Sequence, residues 1–199
     1  MSRLLSIFLV MWLGLAAYCD DRSEIQALFP PGGWRLRPEL RVVDGWSVCG
    51  IDTKDSAVVA LVHRMDGRWR LLVSSGGVLD WDELYQFGLP RRLLGKFGTP
   101  PAKSLPEGPY WKAQTAEQDL TSKDLPAYHQ PWILALMRNE IYARHGRPFQ
   151  DPTLRGYFRE RSWYHERSDF RDTDLSPRER RNVLFLLRQE QRLTQGLTG

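Results

Sequence analysis

Between Gly98 and Pro109 the chain reads GTPPAKSLPEGP, a stretch of twelve residues holding four prolines and two glycines. Proline lacks a backbone N–H and fixes φ, and ordering glycine costs more entropy than ordering any other residue, so neither a helix nor a strand runs through such a stretch. Elements on either side must therefore complete themselves separately. We read 98–130 as a Pro/Gly-rich linker followed by a polar segment, with folded units at 20–97 and 131–199 beside it. The polar residues from Tyr110 to His129 either wrap one of these units or stay loose. With 42% hydrophobic and 12% aromatic residues, the 199-residue chain can bury a core, and disorder is not the expectation.

The first 19 residues, MSRLLSIFLVMWLGLAAYC, carry one cation at Arg3 and an apolar run from Leu4 to Tyr18, and the chain then turns acidic at Asp20 and Asp21. That order is the layout of a secretory signal peptide, covering 1–19. The run is shorter than the roughly 20 residues that span a bilayer. Cleavage after Cys19 leaves Cys49 alone, whereas cleavage after Ala17 keeps both and permits a Cys19–Cys49 bridge in an oxidising compartment. Lipidation of Cys19 is disfavoured because Tyr18 stands where a small residue belongs. The expected location is periplasmic or extracellular, with membrane contact only if the apolar segment is retained or Cys19 is lipidated.

Within 20–97, Trp46, Val48 and Gly50 alternate with Ser47 and Cys49, which predicts a strand. Asp52 to Asp55 is a polar turn. Ala57–Met65 (AVVALVHRM) and Trp69–Ser74 (WRLLVS) are joined through Asp66-Gly67, a strong hairpin signal. After Gly76-Gly77 the period lengthens. Asp80 and Glu83 form a capping box ahead of Trp81, Leu84, Tyr85 and Phe87, Gly88 supplies a stop, and Pro90 opens a second short helix through Leu93, Leu94 and Phe97. Hairpin first and helices second predicts a small α+β unit, an antiparallel sheet with helices on one face.

Beyond the linker every signal is helical. Pro131 opens PWILALMRNEIYARHG, in which Ile133, Leu136, Met137 and Ile141 recur as one buried stripe. Glu140 and Arg144 lie one turn apart in the favourable acid-before-base order, His145 sits at the negative end of the helix dipole, and Gly146 takes the capping place, which predicts a positive φ. Asp151-Pro152 restarts a helix with Leu154, Tyr157 and Phe158, closed by Trp163 and Tyr164. Ser176-Pro177-Arg178-Glu179 is a capping box for a third helix carrying Val183, Leu186 and Leu187. Three helices with short connections predict an all-α module of roughly 60 to 70 residues.

The string Tyr142-Ala143-Arg144-His145-Gly146 follows MRNEI and precedes Phe149, the Tyr157-Phe158 and Trp163-Tyr164 pairs, and an L-S-x-x-E-x-x-N run from Leu175 through Glu179 to Asn182. Over about residues 132–191 this resembles the YARHG domain, a bacterial module found attached to peptidases, kinases and other partners. The resemblance implies an extracellular setting and a modular role, and no settled activity.

Known catalytic and metal motifs fail on spacing. His165-Glu166 begins like a zinc-protease helix, but Asp169 stands where the second histidine belongs. Asp172, Asp174 and Ser176 begin like a calcium loop, but Pro177 and Val183 occupy the places of its glycine and its bidentate glutamate. Cys49 lies inside a strand and reads as an inert buried thiol. Adjacent helix residues point about 100° apart, so Arg144 and His145 do not face one substrate. We therefore assign no catalytic, cofactor-binding or metal-binding residue, and we read Glu140, Tyr142, Arg144, His145, Gly146, Trp163, Tyr164, Glu179 and Asn182 as structural.

Charge supplies the functional expectation. From Pro131 onward there are 13 arginines, no lysine and 9 acids, against 14 basic and 15 acidic residues from Asp20 to Gln130. Arginine suits planar recognition of carboxylate or phosphate. Arg181, Arg188 and Arg192 share one face of the third helix, away from its apolar stripe. The reading is a non-catalytic exported protein that binds or scaffolds at the bacterial envelope, with an anionic envelope component or another envelope protein as partner, no nucleic acid and no cofactor. The alternative is an exported hydrolase with its active site between the two units, drawing on groups such as His63, Asp66 or His165.

Overall fold

A computed structural model describes residues 21–98, 105, 112–126 and 130–196. The leader, Cys19 and most of the proline-rich stretch lie outside them. The first unit is a four-stranded antiparallel meander, β1 (Arg35–Leu36), β2 (Trp46–Asp52), β3 (Ala57–Met65) and β4 (Arg68–Ser75), paired in chain order. Two Asp-Gly pairs shape it. In Asp66-Gly67, and likewise in Asp44-Gly45, both residues have φ between 50° and 75°, the left-handed pair whose twist suits a two-residue hairpin turn. Asp66-Gly67 joins β3 to β4 as predicted. Asp44-Gly45 closes a tight turn in which Val43 and Trp46 exchange both backbone hydrogen bonds at 2.9 Å.

The sheet is covered on both faces, where the sequence predicted helices on one. Cys49, Ile51, Val58, Ala60, Val62 and Trp69 pack against Ile25, Phe29 and Leu40, from helix α1 (residues 21–26) and the segment after it. Trp46, Leu61, Leu72 and Val73 face the opposite way, into a second core with α2 (Trp81–Gln86) and α3 (Arg91–Phe97). Two-sided burial explains why β3 is apolar nearly throughout instead of alternating. At α2 the predicted capping box is present: Asp80 Oδ1 accepts from Glu83 N at 2.8 Å, and Glu83 Oε2 accepts from Asp80 N at 3.0 Å.

The second unit comprises α4 (Lys112–Glu117), α5 (Pro131–Arg144), α6 (Pro152–Arg159) and α7 (Pro177–Gly196). The last three begin on a proline, whose missing N–H costs nothing at a first helical position. α5 is buried on most of its circumference instead of along one stripe, with Ile133, Leu134, Leu136, Met137 and Ile141 inaccessible. It lies between β4, α4, α6 and α7, and a helix enclosed in this way reads as apolar all round. The second core is continuous across both units, joining Trp46, Leu61, Tyr85 and Leu93 to Trp132, Ile133, Phe158 and Leu186. The proline-rich stretch interrupts the chain without interrupting the core.

Candidate functional site

The motif corner is a helix C-cap of Schellman type. Gly146 N donates to Ala143 O at 2.9 Å and Arg147 N to Tyr142 O at 3.2 Å, the pair of bonds that defines the motif. Gly146 has φ +80°, as predicted. A Cβ there would lie 2.7 Å from the carbonyl oxygen of His165, and Gly146 O accepts from Arg167 N at 2.8 Å, so the corner is clamped from outside as well. The side chains are committed too. The Tyr142 ring carries the Arg147 guanidinium 4.4 Å from its centroid. Arg144 donates to Glu140 at 3.1 Å and to Thr115 Oγ1 at 2.6 Å, and Glu140 is almost wholly buried.

His145 Nε2 lies 2.9 Å from Glu179 Oε1, while Glu179 Oε2 accepts from Ser176 N at 2.8 Å. Burial raises the Glu179 pKa, but the hydrogen bonds from His145 and from both the backbone and side chain of Ser176 outweigh it and leave the carboxyl below its usual range. One carboxylate thus caps α7 and ties it to the end of α5. Asn182, buried, donates to Thr115 O and Gln118 O at 2.9 Å and accepts from Leu120 N at 2.8 Å. This contact binds α7 to the segment that the sequence left open. Tyr164 donates to Arg147 O at 2.6 Å, and Trp163 packs edge-on against Phe158 and Tyr164.

Of the three arginines proposed for an anionic partner, Arg181 is already engaged by Asp119, with contacts from 2.9 to 3.2 Å. Arg188 and Arg192 are exposed one turn apart. Leu184, half exposed, lies one turn before Arg188.

The seam between the units is built around Arg161 and Glu160, which the sequence did not single out, and around Tyr85 and Tyr157, which it read only as members of helix patterns. Arg161 is 3% exposed. Its guanidinium carbon lies 3.8 Å from the Tyr157 ring centroid and 4.0 Å from that of Tyr85. Nη1 donates to Tyr157 O and Nη2 to Tyr85 O, each at 3.0 Å. Tyr157 Oη donates to Gln86 O at 3.0 Å, and Trp132 Nε1 to Phe87 O at 2.7 Å. Three consecutive carbonyls at the end of α2, where a helix runs out of its own donors, are thus met by side chains of the second unit. In return Tyr85 Oη donates to Glu160 O at 3.1 Å, and Glu160 Oε2 accepts from Arg91 N at 3.0 Å, at the start of α3. The helical unit grips the α2–α3 corner from both sides.

Beside this grip a cleft of about 370 Å³ opens, lined by His63 and Asp66 of the first unit and by Asp151, Thr153 and Glu160 of the second, among others. His63, 9% exposed, stacks on Trp46 at 3.8 Å and 11°. Its Nδ1 is 2.8 Å from Gly45 O. A carbonyl only accepts, so Nδ1 carries the hydrogen, and in the neutral ring Nε2 offers a lone pair. Nε2 lies 3.3 Å from Thr153 Oγ1 and accepts from its hydroxyl. Burial holds the His63 pKa below its usual 6.5, against the Gly45 hydrogen bond and the Asp151 charge, which raise it. Of the groups named for a hydrolase, His63 and Asp66 meet here, whereas His165 lies outside the lining. Cys49 is sealed in the first core, its thiol pushed up to about 12 by burial.

These observations define a helical module clamped onto a small two-faced sheet. The module is a YARHG domain: residues 109–191 match that family. The match takes in α4 and the segment pinned by Asn182. No curated protein and no solved structure matches the chain. Among the described residues no helix is long and apolar enough to cross a membrane.

Proposed function

We propose that this is an exported protein of the bacterial envelope, acting there by binding or scaffolding, with an anionic envelope component or an acidic protein surface as its partner. The carrying observation is the division of labour among the polar residues of the YARHG domain. The motif residues are used up inside the fold, as a cap on α5 and a tie to α7, and contribute rigidity instead of chemistry. Arg188 and Arg192 are left facing solvent beside Leu184. Two guanidiniums one turn apart, with a small apolar spot at one end of the row, suit carboxylates or phosphates. The leader-like order of the first 19 residues supports a partner outside the cytoplasm and favours it over nucleic acid.

The test is retention of the purified protein on isolated envelope material from about 50 to about 500 mM salt, on either side of the ionic strength at which exposed charges are screened over about 8 Å. Retention should fall steeply with salt and be lost in the double variant Arg188→Glu/Arg192→Glu. Arg181→Glu should act mainly by breaking the Asp119 pair. Retention indifferent to both salt and the double reversal would defeat this reading.

A further inference from the structure

The cleft at the seam carries an arrangement that binding alone does not use. Thr153 is the second residue of α6. Of the N–H groups in that first turn, Pro152 has none, Leu154 N donates to Asp151 Oδ1 at 2.8 Å and Arg155 N to Asp151 O at 2.9 Å. The Thr153 N–H, at a position with no intrahelical acceptor, remains at the positive end of the helix dipole. Its hydroxyl meets the lone pair of His63 Nε2 at 3.3 Å, and His63 is oriented through Nδ1–H by Gly45 O at 2.8 Å and by stacking on Trp46. A nucleophile, a base within reach of it and a third group fixing the base constitute the arrangement that activates a hydroxyl, and distances slightly beyond 3.2 Å are usual before substrate is bound. Both residues line an open cleft of about 370 Å³.

We propose that Thr153 and His63 form an acyl-transfer site, giving the protein an esterase activity beyond its binding role. Thr153 Oγ1 attacks the carbonyl carbon of the ester, and its proton passes to His63 Nε2. The oxyanion forms at the α6 N-terminus, where the Thr153 N–H donates to it. His63 then protonates the departing alkoxide as the carbon–oxygen bond breaks, leaving an acyl-threonine. Water attacks that ester, giving one proton to Nε2, which returns it to Thr153 Oγ1 as the acid is released. Asp151, whose charge favours protonated His63, steadies the imidazolium in both halves. The lining carries carboxylates of Asp44, Asp66, Asp151 and Glu160 against guanidiniums of Arg64 and Arg92. That balance selects small neutral or amine-bearing acyl groups over anionic ones.

The experiment uses the purified full chain with p-nitrophenyl acetate, and with p-nitrophenyl succinate as the anionic counterpart. Acetate hydrolysis should exceed that of heat-denatured protein and outrun succinate. Thr153→Val, which keeps the shape, and His63→Gln should each lower the rate by about 10²-fold or more, the usual contribution of general-base help, while Thr153→Ser retains it. An alkyl fluorophosphonate should add to Thr153 in the native chain, read by peptide mass spectrometry. No hydrolysis above the denatured control, a Thr153→Val variant as active as the native chain, or a fluorophosphonate that leaves Thr153 unmodified would each overturn the proposal. None of these outcomes touches the salt-dependent retention on envelope material, which tests the binding role separately.

Discussion

His145 and His63 lie in one fold with opposite surroundings. His145 stands in the most conspicuous string of the sequence and ends against Glu179, whose second oxygen is closing the cap of α7. His63 stands in a strand and belongs to no motif, named only among the groups of the alternative hydrolase reading, and meets Thr153 from 90 residues further along the chain. The first is enclosed by partners that are already engaged; the second keeps a lone pair toward a hydroxyl in an open cleft. A recurring string of letters can mark a place where the backbone is difficult to build. Reactivity depends on what the fold brings from elsewhere.

The contrast between motif corner and seam is exposed to measurement, beginning with the largest effect. Arg161→Leu should destabilise the protein by about 3 kcal/mol or more in denaturant unfolding, since it strips buried carbonyls of charged donors and removes the plate between two tyrosines. Arg161→Lys should not rescue it, because an ammonium neither stacks nor bridges in a plane. Gly146→Ala should cost about 2 kcal/mol, combining the left-handed φ with the approach of His165 O. A larger loss at Gly146 than at Arg161 would reverse the ranking of corner and seam.

The two regions should also respond to acid at different points. His63 has a folded pKa below its ordinary 6.5, so its contribution is complete above 6.5 and declines as pH falls from there toward the lowered value. Glu179 has a folded pKa below its ordinary 4.5, so its contribution is present above 4.5 and is lost as pH falls through the lowered value. Melting temperature followed against pH should therefore show two limbs, the upper one flattened by His63→Gln and the lower by Glu179→Gln. Either variant altering the other's limb would mean that the regions are coupled. The smallest effect belongs to the exposed face: Arg188→Glu/Arg192→Glu should change unfolding free energy by no more than about 0.5 kcal/mol.

Local chemistry made much of this legible in advance. The Asp66-Gly67 hairpin, the boxes at Asp80–Glu83 and Ser176–Glu179, the helix-opening prolines and the positive φ of Gly146 all rest on a residue and its near neighbours. Features set by distant partners were not legible. β1 is two residues long and exists because Arg35 and Leu36 find Asp52 and Ile51. Segment 112–126 is ordered by Asn182 and Arg181 from α7, too far along the chain for any periodicity to register. Burial of the sheet's second face left a trace in the unbroken apolar run of β3, which the period-two reading passed over. Arg161 is one arginine among 13 in its half; nothing in the letters distinguishes the one pressed between Tyr85 and Tyr157. Thr153 was hidden in the same way, reading only as the residue after a helix-opening proline.

The grip on the α2–α3 corner has a consequence in time. Trp132, Tyr157 and Arg161, which complete the last turn of α2, follow the carbonyls they serve by 45, 71 and 76 positions. A chain that emerges from its N-terminus makes the sheet and α2 long before those side chains exist outside the ribosome. Until they arrive, the three carbonyls at the end of α2 lack the side-chain donors that meet them in the finished fold. The α2–α3 corner is therefore completed only when the last third of the polypeptide has been made, although the other face of the sheet finds its whole core within residues 25–71.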